Sequence, residues 1–347
     1  MTKIKLTQVV KCAGCAAKLP PSFLSDAVKD IKWPTNSSVI QDMTNNEDCG
    51  VYSLNNTEAL VQTTDFFTPI VDDPYLFGQI AVTNALSDIY AMGASPMSAL
   101  NLVCYPEELG PEVLHDILRG GAYKAAEANC PIIGGHSVSA PELKYGIAVT
   151  GKALIKQIKY NSDARSGDLI ILTKGLGTGI LNTAIKRGHL ADTDYENLIH
   201  SMLRLNQDAA RLINDYDVGG VTDITGFSLM GHSMEMAKAS QVALKFYSSQ
   251  MPILSGAIQA AEQGFITRGD KSNRKYTEGM VKINRVDKTI EQICFDPQTS
   301  GGLLLTVKPA HAQKLLSQLQ TFYPQASLIG ECIPKESSQS AQVILQK

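Results

Sequence analysis

Three side chains on one predicted helix carry the strongest chemical signal in the sequence. Asn84, Ser87 and Asp88 stand at i, i+3 and i+4, so a helix beginning after Pro74 gathers them on one narrow stripe. The rest of its surface is apolar, formed by Phe77, Ile80, Ala81, Val82, Ala85, Leu86, Ile89, Tyr90 and Met92. A helix apolar nearly all round is a buried one. Its polar stripe then faces either water or something polar held inside the protein. A solvent-facing stripe is usually built from Lys, Glu and Arg, whereas Asn, Ser and Asp are poor helix formers whose side chains compete for backbone groups. Asn84 and Asp88 therefore read as ligands for an ion or a polar cofactor. The plainer alternative is a solvated edge or a hydrogen bond to a neighbouring helix.

Three further aspartates border predicted elements: Asp48 and Asp65 at strand edges, and Asp223 just ahead of a helix over residues 228–240. For Asp223 the ordinary use would be a helix cap. Carboxylates gathered in one cleft raise one another's pKa unless a cation sits between them. Hard oxygen ligands suit Mg2+, and Mg2+ on a few carboxylates usually carries a polyphosphate. Such a site supports phosphoryl transfer, in which charge is neutralised and little covalent chemistry is asked of the protein. The P-loop pattern and the kinase catalytic motifs are absent. The residues thus point to a Mg-dependent, ATP-using enzyme outside both common families.

A second chemical stretch is KCAGCAAK at residues 11–18. The ammonium groups of Lys11 and Lys18 favour the thiolate of Cys15, the reactive form of cysteine. Zinc would need two more ligands at close spacing, which are absent, and no continuous strand–CxxC–helix context supports a thioredoxin-like role. The small residues between Cys12 and Cys15 would let the two thiols meet as a redox-sensitive disulfide. The bland alternative is an ordinary flexible N-terminus.

The elements that must position these groups follow from length and pattern. A chain of 347 residues, 44% hydrophobic and 19% charged, is long enough for two cores. A net charge of −3 leaves no basic excess for nucleic acid. No apolar run reaches the ~18 residues of a membrane span, and the N-terminus lacks a secretory core. Seven scattered cysteines suit reduced thiols and a cytoplasmic protein. Strand-like runs at residues 4–10, 51–54, 98–105 and 145–152, one ending at residue 64, and helices over 22–31 and 111–128 make up the first half. Gly134 and Gly135, right after an apolar strand, would turn backbone amides toward an anion. Residues 157–167 read as a connector.

The second half restarts with a buried strand over 168–173, then KGLGTG at 174–179. This is not the G-x-G-x-x-G of dinucleotide sites, and no acidic residue ends a second strand where such a site needs one. Helices over 180–187 and 195–214 follow, and DPQTSGG at 296–302 turns into a strand over 303–307. The architecture expected is α/β (α+β) with a mobile N-terminal segment (1–45), an ATP/Mg-binding and dimerisation domain (46–155) and a C-terminal α/β domain (156–347).

Several blocks together resemble the selenide, water dikinase (selenophosphate synthetase) family. They are AGCAAK at residues 13–18, TTDFFTPIVDDPYLFGQIAVTNALSDIYAMGA at 63–94, GGHSV, TDITGFSLMGH and DPQTSGGLLL. The resemblance covers nearly the whole chain. It implies the conversion of ATP, selenide and water to selenophosphate, phosphate and AMP, on an aminoimidazole-ribonucleotide-synthetase-like fold acting as a homodimer. It implies Cys15 and Lys18 as the catalytic pair, and Asp48, Asp88 and Asp223 as Mg2+ ligands, with K+ a further candidate ion. Asn45, Asn46, Glu47, Asp65, Asn84 and the Gly135-His136-Ser137 group would contact ATP, the last group from the partner subunit. A selenium-delivery protein is a further partner implied. Ala17 departs from the family's second loop cysteine, which puts a second-thiol role in question while Cys15 and Lys18 remain. The rivals are another Mg-ATP enzyme of this fold, such as a cyclo-ligase or thiamin-monophosphate kinase, and a non-catalytic nucleotide-binding dimer.

Overall fold

The computed structural model describes residues 5–8, 10, 14, 19, 21–42, 46–335 and 342–347. Cys12, Cys15, Lys18 and Asn45, and with them the thiol switch, lie outside the described residues. The first half runs α1 (Pro21–Val28), β1 (Val39–Gln41), β2 (Gly50–Ser53), β3 (Glu58–Phe67), α2 (Pro74–Ala91), β4 (Ser95–Tyr105), α3 (Pro111–Glu127), β5 (Ile132–Ser139) and β6 (Lys144–Leu154). Its six strands order as β1-β2-β3-β6-β4-β5, antiparallel except for the β4–β5 pair at the far edge.

β3 does not stop at residue 64. It continues to Phe67, pairing Asp65 with Ile147 and Phe67 with Tyr145, so Asp65 sits within the strand rather than at its edge. The period of two explains why. Ala59, Val61, Asp65 and Phe67 are buried on one face, Thr63 lies half-buried among them, and Gln62, Thr64 and Phe66 are exposed on the other. Polar residues at 63 and 65 are tolerated inside because the stripe of α2 meets them there. The strand-like reading of residues 4–10 also gives way, to a single 3-10 turn at Leu6–Gln8. Residues 134–137 form no turn. They lie within β5, where Gly135 pairs with Asn101, and a Cβ on Gly135 would sit 2.5 Å from the Asn101 carbonyl oxygen.

α2 begins as the Asp-Asp-Pro sequence dictates. Asp73 caps it by accepting from the Leu76 N–H at 3.0 Å, and Pro74 occupies the first turn, where no N–H is needed. Asp72 instead accepts from the N–H and hydroxyl of Thr7. Fourteen α2 residues are buried, because the helix lies between β3, β6 and α3 of the first half and later elements of the second.

The second half comprises β7 (Leu169–Leu172), α4 (Thr178–Lys186), α5 (Asp192–Leu203), α6 (Gln207–Ile213), β8 (Val218–Asp223), α7 (Ser228–Ser240), β9 (Val242–Tyr247), α8 (Ala257–Glu262), α9 (Arg268–Tyr276), β10 (Val281–Asn284), α10 (Lys288–Phe295), β11 (Leu303–Val307), α11 (Pro309–Gln320), β12 (Ser327–Pro334) and β13 (Val343–Gln346). Its seven strands order as β10-β13-β9-β12-β7-β11-β8. The helix expected over 195–214 is two helices, broken at Arg204–Asn206. The break frees the Arg204 carbonyl to accept from Lys174 and lets the Asn206 amide donate to Ser87 Oγ and the Gly301 carbonyl. Those bonds outweigh one more helical turn.

Candidate metal and nucleotide site

The stripe of α2 lies where the two halves meet, and each of its members has a different partner. Asp88 lies with Asp48 and Asp223, one oxygen from each within 4.8 Å of the others. Asp48 comes from the turn before β2, Asp88 from the last turn of α2, and Asp223 from the last position of β8. Two hydroxyls aim this centre. Thr63 of β3 donates to Asp88 Oδ2 at 2.6 Å, and Thr222 donates to Asp48 Oδ1 at 3.0 Å. Asp223 is not a cap for α7: the residue at that cap is Phe227, and it makes no side-chain capping bond.

Burial, then the neighbouring charges of Asp223 and Asp88, hold the Asp48 carboxyl well above the usual carboxylate range. The same three aspartates, after burial, push up the adjacent Cys49 thiol and keep it neutral. Asp48 Oδ2 is buried with no hydrogen-bond partner among the described residues, and no ion pair there reaches Asp48. Converging acidic oxygens, one of them buried without a donor, fit a hard divalent cation such as Mg2+.

Asn84, one turn before Asp88, donates to Asp65 Oδ2 at 2.7 Å and accepts the Ser300 N–H at 2.8 Å. It joins β3, through Asp65, to the DPQTSGG loop. Ser87 accepts from Asn206 at 2.9 Å. The turn at Asn46 and Glu47 is tied to the connector. Glu47 accepts the Asn161 N–H at 2.7 Å and the Ser162 hydroxyl at 2.9 Å, and the Asn46 carbonyl accepts from the Asn161 amide at 2.8 Å. Burial raises the Glu47 carboxyl, with those bonds pulling the other way. Gly135, His136 and Ser137 stand apart on the exposed edge strand β5.

The glycines of KGLGTG are committed to structure. The N–H groups of Gly177 and Thr178 donate to Gln298 Oε1, and that of Ile180 to Asp296 Oδ2, so the start of α4 is plugged by the DPQTSGG loop. Sequence reasoning missed Thr63, Thr222 and Asn206. Thr63 was readable, since it shares a strand face with Asp65 two residues on. Asn206 gave little signal inside a stretch with helical periodicity.

The two-sheet architecture and its carboxylate centre define an AIR-synthase-related protein. Residues 46–153 match the family described as AIR synthase related protein, N-terminal domain, and residues 165–341 match the corresponding C-terminal domain. Among curated proteins, the selenide, water dikinase of Clostridioides difficile (strain 630) is 41% identical over 95% of this chain and 96% of its own. That of Caldanaerobacter subterraneus subsp. tengcongensis is 44% identical over 91% and 92%. The chain belongs to the selenide, water dikinase family. Among solved structures, hydrogenase maturation protein HypE in complex with ATP shares the fold at 18% identity, with a TM-score of 0.64 over 89% of this chain and 86% of that one. Thiamine-monophosphate kinase from Stenotrophomonas maltophilia K279a does so at 17% identity and a TM-score of 0.64, over 95% and 96%.

Proposed function

We propose that this chain makes selenophosphate from selenide, ATP and water, releasing AMP and phosphate. The observation that carries the reading is the convergence of Asp48, Asp88 and Asp223 from three separate elements, in a chain 41% identical to a selenide, water dikinase along almost its whole length. In this reading the three aspartates hold Mg2+, which when bound neutralises polyphosphate charge. Asp65, braced by Asn84, and the turn through Asn45, Asn46 and Glu47 bind the nucleotide. Cys15 and Lys18 act at the selenide and phosphate end.

The protein works as a homodimer through the first sheet. Supporting this, Phe66, Leu100 and Ile133 are exposed on the sheet face away from α2, with Ile133 69% exposed beside the unpaired edge of β5. Gly135, His136 and Ser137 would then approach the partner's nucleotide. No helix among the described residues is long and apolar enough to cross a membrane, in keeping with a soluble enzyme acting in the cytoplasm. The domain limits at residues 46–155 and 156–347 belong to the same proposal.

The test is an anaerobic nucleotide assay with and without selenide. Selenide-dependent formation of AMP supports the reading. ADP as the final product, or turnover indifferent to selenide, would replace it with a kinase or cyclo-ligase activity of the same fold. Nucleotide binding without turnover would leave a non-catalytic dimer.

A further inference from the structure

The KGLGTG stretch has a first half that α4 does not use. Lys174 and Thr173 floor a cavity of about 290 Å³ in the second half, walled by His200, Arg204, Leu254, Phe322 and Tyr323. None of the aspartates of the carboxylate centre lines it, and neither does any other acidic side chain. Gly175 gives the floor its shape: a Cβ there would lie 2.6 Å from Gln325 Oε1 and 3.2 Å from Leu254 Cδ2, two groups of the wall.

Two cationic donors in this cavity have unused capacity. Lys174 is 4% exposed, and its ammonium donates to the carbonyls of Arg204 at 2.5 Å and Ser300 at 2.9 Å. An ammonium carries three N–H bonds, so one remains. The Arg204 guanidinium is fixed from two sides, by Asp208 Oδ2 at 2.6 Å and by the Tyr323 ring with its centroid 5.3 Å away. Its Nε is buried and has no acceptor among the described residues. A buried guanidinium N–H without an acceptor is costly, and what a ligand in the cavity can reach is the remaining surface of this 35% exposed side chain. Burial pushes the Lys174 ammonium down to about 7, with Asp223 pulling the other way. His200 and Gln325 stand exposed at the rim. Phe322 and Leu254 add an apolar wall against which a flat group can lie.

We propose that this cavity is a second ligand site, separate from the carboxylate centre, that binds a small phosphate-bearing anion through Arg204, Lys174 and His200. Lysine and arginine donors in a cavity lined by no acidic side chain match phosphate oxygens, with Asp208 holding Arg204 from outside that lining. The volume accommodates either orthophosphate alone or the phosphate and part of the body of a mononucleotide. Both sources present the same chemistry to Arg204.

The experiment is calorimetric titration of the full chain in the presence of Mg2+ and saturating non-hydrolysable ATP analogue, which occupies the carboxylate site. Orthophosphate, AMP and adenosine are titrated separately. One phosphate or AMP per chain is expected, weakened at least tenfold by Arg204→Gln and several-fold by His200→Ala, with analogue affinity unchanged in both. Orthophosphate binding as tightly as AMP identifies the free anion as the ligand, and tighter AMP binding identifies a mononucleotide; either supports the site. Because His200 is exposed, its variant keeps the test open should Arg204→Gln fail to fold. Absence of binding by both anions overturns the proposal. So does binding that neither substitution weakens, or adenosine binding as tightly as AMP.

Discussion

Asp88→Asn separates the carboxylate centre's two states in one protein. The substitution preserves shape, and the Thr63 hydroxyl still has an oxygen to donate to, but a charge is removed from a cluster spanning at most 4.8 Å. At that distance, and an effective dielectric of about 20, each like-charge pair costs roughly 3.5 kcal/mol. Protonation of Asp48, whose carboxyl is held high partly by Asp88, already relieves much of this. The net gain for the metal-free variant is therefore about 1–2 kcal/mol, a rise of a few degrees in Tm. With Mg2+ the order reverses, because the cation loses one of its charged ligands. Turnover should fall by about 10²–10³, the scale of losing one electrostatic contact to a transition state. The assays are thermal unfolding with and without Mg2+, and anaerobic AMP release. A variant that turns over within tenfold of wild type, or whose Tm responds to Mg2+ as strongly as wild type, would refute the argument.

Asn84→Ala removes the bonds to Asp65 and to the buried Ser300 N–H, so stability should drop by about 2–4 kcal/mol. The KM for ATP should rise as Asp65 loses its brace; chemical denaturation and steady-state kinetics check the two effects. Asp296, buried at the start of α4, has its carboxyl pushed up to about 7 from 3.8, chiefly by burial. Its folded pKa is raised, so its contribution is present in full below pH 3.8 and is lost as pH climbs through about 7. Wild type should lose up to about 4 kcal/mol over that window. Asp296→Asn should flatten this part of the profile, and an unchanged slope in urea titrations would assign it to another group. Lys18→Ala should lower selenide-dependent turnover by orders of magnitude, with Lys18→Arg restoring it only in part.

What the sequence made legible was mostly periodic or local. α2 could be read from its apolar wrapping, its Asp-Pro start and its stripe of short polar residues, and a gathering of Asp48, Asp65, Asp88 and Asp223 from their positions at element borders, while the choice of Asp48, Asp88 and Asp223 as the metal set came from the family resemblance. Asp65 was misjudged as a strand end because a one-dimensional pattern scores Thr63 and Asp65 as breaks. Only the facing helix makes them satisfied interior residues. Asn84 illustrates the opposite difficulty: its residue type signalled a polar partner, yet Ser300 lies 216 residues away in sequence. The break at Arg204–Asn206 is likewise tertiary, set by Lys174, Ser87 and Gly301 rather than by local propensity. The glycines at 134–135 were read as a turn because close strand approach and a turn both call for glycine.

The placement of α2 has a consequence for how the chain is made. Ala91 at its end belongs to a core otherwise built from residues of the second half, and the helix lies against α5, α6 and β8. On a ribosome adding about 5–20 residues per second, the first half emerges with one apolar side of α2 uncovered while roughly 70 more residues, through Asp223, are added. For on the order of ten seconds that side is available to a holdase or to another nascent chain. The first sheet is therefore not a finished folding unit when its own last strand is complete. A truncation after β6 should be insoluble or chaperone-bound, and the α2 amides of the whole protein should exchange with solvent only on global unfolding, not with the opening of either half alone.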